Sequence, residues 1–303
     1  MAQPPLDPAE RNVDPASERL RLRPGPGGRI ALLPDQAGWR YLSFRVLPLA
    51  GGDWLSVGGP ALEAVVVLLE GGGAGITTAG GWQSELEGRR SVFDALPSGW
   101  YLPAGSEARM RGIHSQHGPA ALVAIAEAPV SGRLGVAAEP VVIRPEDVRV
   151  EIRGAGNASR QINHVVEPDF PADRLEIVEV LTPSGNWSSW PPHKHDVDDP
   201  PNEAILEEIY HYRFRRPAAW GVQRVYRSDR SRDLLWEVRS GDLVIVPDGY
   251  HPFSAAHGDD AWYLNALAGD RRTMACSFDP DLEWVRGTWA DMAPDPRLPL
   301  VRR

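Results

Sequence analysis

The sequence predicts an all-β protein built from two tandem barrels of short strands. Glycine and proline, with 30 and 29 residues in a chain of 303, make up about a fifth of the sequence, against roughly an eighth in an average protein. Because both residues mark turns, such a chain has many short elements. No stretch of a dozen residues shows the period of an amphipathic helix, which favours strands throughout.

Twelve short runs are the expected strands, because each is rich in Val, Leu, Ile or aromatic residues and is bounded by Gly or Pro. In the first half they cover residues 41–49, 64–69, 75–78, 91–93 and 121–127. In the second half they cover residues 148–152, 175–182, 208–214, 222–226, 234–238, 242–246 and 262–266. A helical turn or two is expected only at residues 171–173 and 201–209.

Two features recur at nearly the same distance along the chain, which indicates an internal duplication. The segment 247–251 (Pro-Asp-Gly-Tyr-His) lies 144 residues after the segment 103–107 (Pro-Ala-Gly-Ser-Glu). Glu208 lies 145 residues after Glu63, and both residues stand just before an expected strand. The expected domains are therefore a flexible tail or extended arm at 1–28, an N-terminal barrel at 29–140 and a C-terminal barrel at 141–303.

The composition argues against several classes of function. A net charge of −9 opposes binding to nucleic acid or to an anionic membrane surface. The single cysteine, Cys276, can form neither an internal disulfide nor a thiolate metal cluster, and it fits a reducing, cytoplasmic compartment. No run of 18 apolar residues predicts a transmembrane helix, and residues 1–10 lack the apolar segment of a signal peptide.

His193 and His195 are the strongest candidates for metal ligands. Alternate residues of a strand face the same side, so both imidazoles can point into a barrel while Lys194 points away. Glu208, at the start of the next strand, and His251, at the end of the Pro-x-Gly turn, would complete three His and one carboxylate. This set suits one divalent transition metal, and ligand type alone does not choose among Zn, Mn, Fe, Co and Ni.

The order His-x-His, Glu and then Gly-x5-Pro-x-Gly-x-His resembles the two sequence motifs of the cupin superfamily. Within that superfamily, residues 185–196 (GNWSSWPPHKHD), 207–210 (EEIY) and 223–226 (QRVY) are similar to the uronate isomerase family. The similarity is greatest to the members that act on 5-deoxy-glucuronate in myo-inositol catabolism. Further matches lie at residues 39–45, 88–93, 263–265 and 286–289, so the resemblance extends over nearly the whole chain after the expected tail.

The resemblance implies a bicupin fold, that is, two tandem double-stranded β-helix (jelly-roll) barrels. It implies one divalent metal, with Zn or Mn the first choices, and the ligands His193, His195, Glu208 and His251. Glu207 is the competing carboxylate, but the ligand Glu of related isomerases directly precedes a Val/Ile-Tyr pair, which here follows Glu208. The N-terminal barrel has Glu107 in place of His251, so no metal is expected there. Relatives assemble into oligomers, so self-association is expected as well.

The implied reaction is the aldose–ketose isomerisation of 5-deoxy-D-glucuronate to 5-dehydro-2-deoxy-D-gluconate. A proton or a hydride would move between C2 and C1 beside a Lewis-acidic metal. Arg224 is the first candidate to bind the substrate carboxylate, and Gln223 is the inward residue if the strand faces the other way. Tyr212 and Tyr263 are candidates for proton relay or hydroxyl binding. Asn265 is a candidate to hydrogen-bond the substrate or a ligand His.

Three alternatives stay open at this level. A related isomerase of pectin breakdown, acting on 5-keto-4-deoxyuronate, is similar in fold and ligands, but the 13-residue separation of His195 and Glu208 and the string at 185–196 favour the first reading. A cupin dioxygenase is the second alternative, because two His and a carboxylate also suit Fe(II) and oxygen. A non-enzymatic sugar-binding bicupin is the third.

Overall fold

The fold is all-β, as predicted: strands account for 46% of the chain and helices for 7%. The computed structural model describes residues 19–52 and 54–302, so most of the expected tail, residues 1–18, lies outside the described residues. The strands of the first half are β1 (Arg21–Leu22), β2 (Ile30–Leu32), β3 (Ser43–Ala50), β4 (Leu55–Val57), β5 (Leu62–Gly71), β6 (Gly73–Thr78), β7 (Gln83–Leu86), β8 (Gly99–Leu102), β9 (Ala108–Ile113) and β10 (Ala120–Pro129), and β11 (Val141–Ile143) follows them.

The strands of the second half are β12 (Arg149–Arg153), β13 (Arg160–Val166), β14 (Leu175–Thr182), β15 (Trp187–Ser188), β16 (His193–Lys194), β17 (Leu206–Phe214), β18 (Gly221–Tyr226), β19 (Asp233–Val238), β20 (Leu243–Val246), β21 (Phe253–Ala255), β22 (Ala261–Gly269) and β23 (Ser277–Phe278). The helices described are the α-helix Pro34–Ala37, the 3-10 helices Pro26–Gly28, Pro145–Asp147 and Glu283–Trp289, and an α-helical segment at residues 19–20. None of these helices is long and apolar enough to cross a membrane.

Eleven of the twelve predicted strands are confirmed, and the prediction at residues 91–93 is wrong. That segment is a turn, in which Asp94 N–H donates to the Ser91 carbonyl (3.1 Å) and Phe93 N–H to the Ser91 hydroxyl (3.2 Å). The helical turns predicted at 171–173 and 201–209 are absent from the described structure; β17 begins at Leu206 instead. The apolar run there belongs to a strand because it continues directly into the fully buried part of β17.

Each half of the chain contains one large sheet and one four-stranded sheet, and all the strand pairs described are antiparallel. The large sheets run β11-β8-β5-β10-β3-β2 in the first half and β1-β20-β17-β22-β14-β13-β12 in the second. The four-stranded sheets run β4-β9-β6-β7 and β15-β21-β18-β19, and β16 and β23 form a separate pair. In each half an apolar cluster joins the inner face of the large sheet to the smaller sheet.

The two large sheets pack against each other through their outer faces, which form the largest apolar cluster of the molecule. Alternation along β5 sends Val65 and Val67 into this shared cluster and Val66 and Leu68 into the core of the first half. Trp262, fully buried, contributes the bulkiest side chain from the second half. Because both faces of each large sheet are covered, a strand such as β5 reads as a continuous apolar run, which explains why the sequence located it well.

The halves exchange short edge strands. Arg21 and Leu22 of β1 pair with Val244 and Leu243 of β20, so the start of the chain completes the sheet of the second half. Conversely, β11, which follows the first half, pairs with β8 of the first sheet. Each exchanged strand covers an edge that would otherwise expose unpaired backbone groups.

Two buried glutamates fasten each half to the other. The Glu63 carboxylate accepts hydrogen bonds from the backbone N–H groups of Asp173, Arg174 and Leu175, at 2.6–2.8 Å. The Glu207 carboxylate accepts from the backbone N–H groups of residues 40–42, at 2.7–3.0 Å. Each carboxylate therefore satisfies three donors of the opposite half, and these reciprocal bonds fix the relative position of the two large sheets.

Candidate metal centre

The inner face of the large sheet in the second half carries the polar side chains of the candidate site. On β17, Glu208 and Tyr210 face inward, and on the neighbouring β22 Leu267 and Asn265 lie directly opposite them. His195 follows β16 and is fixed by a backbone hydrogen bond from Leu206 N–H to the His195 carbonyl, 3.1 Å. Strand alternation and this single bridge therefore bring His195 beside Glu208 despite the 13-residue separation.

His251 reaches the same point from the other side, through a turn that requires glycine. Gly249 has φ +82°, and a Cβ there would collide with the Tyr226 carbonyl. The Gly249 N–H donates to the Asp196 carboxylate (2.8 Å), which also binds the Lys194 ammonium (2.6 Å). Asp196 thus ties the His-x-His segment to the turn that carries His251.

His195, Glu208 and His251 form a compact buried group whose possible ligand atoms all lie within 4.8 Å of one another. His195 Nε2 is 2.7 Å and His251 Nε2 is 3.1 Å from the same oxygen, Glu208 Oε2. All three residues are at most 7% exposed. The geometry is that of two imidazole nitrogens and one carboxylate oxygen directed at a common point.

The donor chemistry of this group fits a cation. The Nδ1 atoms of His195 and His251 lie 3.1 Å and 2.9 Å from the carbonyls of Leu206 and Gly249, and a carbonyl only accepts, so both Nδ1 atoms donate. In the neutral form of each imidazole, Nε2 then carries a lone pair that points toward the Glu208 carboxylate. His251 Nε2 has no hydrogen-bond partner among the described residues. Such an arrangement, with the outer nitrogen on a carbonyl, is the one that metal-ligating histidines use.

The protonation states of Glu208, His195 and His251 also fit a cation site. Burial alone would raise the pKa of Glu208, but His251 and His195 outweigh it and lower that pKa to about 2, so the carboxylate is ionised. Burial lowers the pKa of His251. For His195 burial acts in the same direction, but the Glu208 carboxylate outweighs it and raises the pKa. A metal would compete with that proton for the same nitrogen.

The structure places His193 next to this group, although the compact set of ligand atoms comprises only His195, Glu208 and His251. Its ring centroid lies 4.7 Å from that of His251 and 6.4 Å from that of His195. Burial lowers the pKa of His193 well below its ordinary value, so the ring is neutral at physiological pH and able to donate a lone pair. His193 lines a cavity together with His195 and Glu208.

That cavity has a volume of about 590 Å³ and lies over the inner face of the sheet. The volume is in the range of small-molecule sites, about 300–1,000 Å³. Tyr263, a sequence candidate, lines it and donates to the Ser188 hydroxyl at 3.2 Å. Asn265, also in the wall, donates to the Ile209 carbonyl at 2.9 Å. Tyr210, which the sequence analysis did not single out, lines it as well, and burial raises its pKa, so its phenol stays protonated.

Gln223 and Tyr212 are buried but are not among the residues that line the cavity. The Tyr212 hydroxyl donates to Gln223 Oε1 (2.5 Å), and Gln223 Nε2 donates to the His251 carbonyl (2.8 Å). Strand alternation directs Gln223 inward, and its amide is used to hold the backbone of His251. Both residues thus support a candidate ligand rather than contact the cavity.

Arg224 is not brought to the site. Its guanidinium forms two hydrogen bonds with the Asp233 carboxylate, at 2.7 and 2.6 Å, and lies over the Tyr226 ring on the surface of the strand. Arg160 of β13 lines the cavity instead. Arg160 is not evident from the sequence, because β13 carries polar residues on both faces and does not have the pattern of a strand. The alternation of residues 160, 162 and 164 is its only signal.

Lys194 and Glu207 both point away from the candidate metal centre. The Lys194 ammonium binds Asp196 (2.6 Å) and Glu203 (2.8 Å) and does not line the cavity. Glu207 faces the opposite side of β17 from Glu208, where its carboxylate is occupied by the backbone of the other half. The structure therefore leaves Glu208 as the carboxylate beside the histidines.

Fold and site together define an all-β protein of cupin-like architecture with a buried His/Glu group able to hold a metal. Comparison with known families places it more closely: residues 23–285 match the model of the KduI/IolB family. The chain belongs to this family.

Among curated proteins, the 5-deoxy-glucuronate isomerase of Geobacillus kaustophilus is 40% identical over 260 residues, covering 86% of this chain and 91% of that protein. The 5-deoxy-glucuronate isomerase of Lacticaseibacillus casei is 36% identical, covering 81% and 88%. The crystal structure of an IolB-like protein from Salmonella typhimurium has a TM-score of 0.79 and 33% identity, covering 88% and 99%. An oxalate decarboxylase of Lactobacillus farciminis, at 10% identity and a TM-score of 0.57, shares the fold alone.

Proposed function

We propose that this protein isomerises 5-deoxy-D-glucuronate to 5-dehydro-2-deoxy-D-gluconate, a step of myo-inositol catabolism, with one divalent metal. The observation that carries the proposal is the convergence of His195, Glu208 and His251, the first two of which line a cavity of sugar size. The relatives that bear this activity in their names support the choice of substrate, since they match most of the chain at 36–40% identity. An isomerase of pectin breakdown is less favoured, because the relatives from Geobacillus kaustophilus and Lacticaseibacillus casei are both named 5-deoxy-glucuronate isomerase.

The proposed architecture is a bicupin, with barrels at 29–140 and 141–303 and the metal in the second. The repeated order of the large sheets and the facing four-stranded sheets supports it. The proposed ligands are His193, His195, Glu208 and His251, with Zn or Mn the first choices. Cytoplasmic location and self-association remain predictions from the sequence.

His193, His195, Glu208 and His251 would hold the metal, which would supply Lewis acidity to stabilise the negative charge that develops on the open-chain sugar. The protein's own residues hold and orient the substrate. Tyr210 and Tyr263 have raised pKa values, because both are buried, and they therefore act as neutral phenols that bind hydroxyls rather than as bases. Gln223 and Tyr212 keep His251 in place through its carbonyl. The apolar wall formed by residues such as Val178 and Val180 limits access of water.

The test is turnover of 5-deoxy-D-glucuronate, followed by NMR, with the purified protein before and after chelation and after return of single metals. Activity that is lost with chelator and restored by one divalent ion supports the proposal. Metal-replete protein that leaves this substrate unchanged would rule it out. Consumption of oxygen with the same substrate would instead indicate a dioxygenase.

His195→Ala should lose both bound metal and turnover, because it removes a nitrogen that lies 2.7 Å from Glu208 within the group. Metal is measured by elemental analysis of the purified variant. The matched control is His257→Ala, which changes a histidine of the second half that lies outside the cavity. Full metal content in His195→Ala would show that the ligand assignment is wrong.

A further inference from the structure

Arg160 is a buried cation in the wall of the cavity. It is 6% exposed and stands on β13, where Arg160, Ile162 and His164 alternate toward the cavity. Its Nη1 donates to two carbonyls, those of Ala158 (3.2 Å) and Trp190 (3.3 Å). The second contact places the guanidinium beside the segment that leads into His193.

No carboxylate within the described part of the chain forms an ion pair with Arg160. The other two arginines of the cavity differ: Arg153 lies 2.7 Å from the Glu151 carboxylate, and Arg286 lies 3.7 Å from Glu283. Burial lowers the pKa of Arg160 to about 10, so the side chain is still charged at neutral pH. A buried charge without an ion-pair partner is costly, so an anionic ligand that supplied the counter-charge would be favoured at this position.

We propose that Arg160 is the residue that binds the substrate carboxylate and so selects an acid sugar over a neutral one. The inference rests on the proposed function, because it takes the carboxylate to be that of 5-deoxy-D-glucuronate. His195 and Glu208 of the His/Glu group line the same cavity as Arg160, so the sugar's C1–C2 end can meet the former while its carboxylate meets the latter. A guanidinium offers two parallel donors to a carboxylate, which adds orientation to attraction.

The experiment compares Arg160→Gln, Arg160→Lys and the wild type on two substrates. One is 5-deoxy-D-glucuronate, and the other is 5-deoxy-D-glucose, which carries a hydroxymethyl group in place of the carboxylate. For Arg160→Gln, kcat/KM on the acid should fall about 10- to 100-fold, mainly through KM, because a charge-assisted hydrogen bond is lost. On the neutral sugar it should change little. Arg160→Lys should lie between, since it keeps the charge and loses the fork.

Arg239→Gln is the matched control, because Arg239 is an exposed arginine that pairs with Glu237 and does not line the cavity. It should behave as the wild type on both sugars. Equal losses on the acid and the neutral sugar in Arg160→Gln would overturn the inference, since they would mean that Arg160 merely supports the Trp190 segment. If Arg160→Gln does not fold, the acid-to-neutral ratio of Arg160→Lys decides in the same way.

Failure of the proposed function is recognised separately. If the wild type turns over neither sugar, calorimetric binding of D-glucuronate to wild type and Arg160→Gln tests the anion site alone. Weaker binding by Arg160→Gln, with unchanged binding by Arg239→Gln, supports the site. Equal binding by all three proteins overturns it.

Discussion

The two halves share one framework and differ in the side chains that face inward. Glu63 and Glu207 occupy equivalent positions, because each lies opposite an alanine on the neighbouring strand, Ala128 and Ala268 respectively. The residues that follow them, Ala64 and Glu208, are equivalent too, since they lie opposite Leu102 of β8 and Val246 of β20. Both correspondences span 144 residues, the same distance as the two Pro-x-Gly turns. The position of the candidate carboxylate ligand in the second half is therefore an alanine in the first.

The register also explains why the repeat was misaligned from sequence. The sequence analysis matched Glu63 with Glu208, whereas the structure matches Glu63 with Glu207. A shift of one residue moves a side chain to the other face of a strand. Glu63 and Glu207 face the partner half and hold its backbone, whereas Ala64 and Glu208 face the two cores. A duplicated framework can thus keep a structural carboxylate in both halves and place chemistry in only one.

Glu208→Ala makes the second half like the first at this position and should have the largest effect. Metal content should fall to near zero and turnover by at least about 100-fold, because even residues behind the ligands of metal sites cost 10- to 100-fold. Elemental analysis and the isomerisation assay measure both. Glu85→Ala, which removes an exposed carboxylate of β7, serves as the control. A Glu208→Ala protein that binds metal normally would show that the halves differ elsewhere.

Glu63→Ala and Glu207→Ala test the framework that the halves share. Each substitution leaves three backbone N–H groups of the opposite half without their acceptor and should lower the free energy of unfolding by about 2–5 kcal/mol. Glu63→Ala should cost more, because Glu63 is fully buried and also accepts from the Tyr101 hydroxyl at 2.8 Å. Urea unfolding gives the values. A Glu207→Ala protein of wild-type stability would contradict the reciprocal role.

Gly249→Ala and Gly105→Ala compare the two equivalent turns and should show the smallest effects. Both glycines have φ above +80°, so alanine costs about 1 kcal/mol at either position. At Gly249 a Cβ would also collide with the Tyr226 carbonyl, whereas at Gly105 nothing lies within 4 Å. We therefore expect a larger loss of thermal stability, with reduced metal content, only in Gly249→Ala. Equal losses in both variants would mean that the turn does not position His251.

The elements that the sequence predicted well are those buried on both faces. The strand at 64–69 is apolar without interruption, and those at 175–182 and 262–266 are mostly apolar, so composition located them. β13 (Arg160–Val166) could not be predicted as a strand, because it is rich in polar residues. These residues are buried with hydrogen-bond partners; Gln161 Nε2, for example, donates to the Val301 carbonyl at 2.8 Å. A hydropathy pattern does not reveal a polar side chain whose partner is 140 residues away.

For the site, the grouping of His195, Glu208 and His251 could be anticipated because their spacing matches a known pair of motifs. The choice of arginine could not be. Arg224 and Arg160 both stand on strands, and only the structure shows that an aspartate, Asp233, already neutralises the former. Whether a charge is paired depends on strands that meet in space, and that information is absent from the local sequence.

Because of the exchanged edge strands, neither half of the chain contains all the strands of its own large sheet. A cut near residue 140 would deprive the first half of Val141–Ile143 and the second half of Arg21–Leu22. Separation of the two halves at that point would leave the large sheet of each half with an exposed edge of unpaired backbone groups. The half with the His/Glu group therefore cannot be cut out at that point as a module whose sheet keeps both of its edge strands.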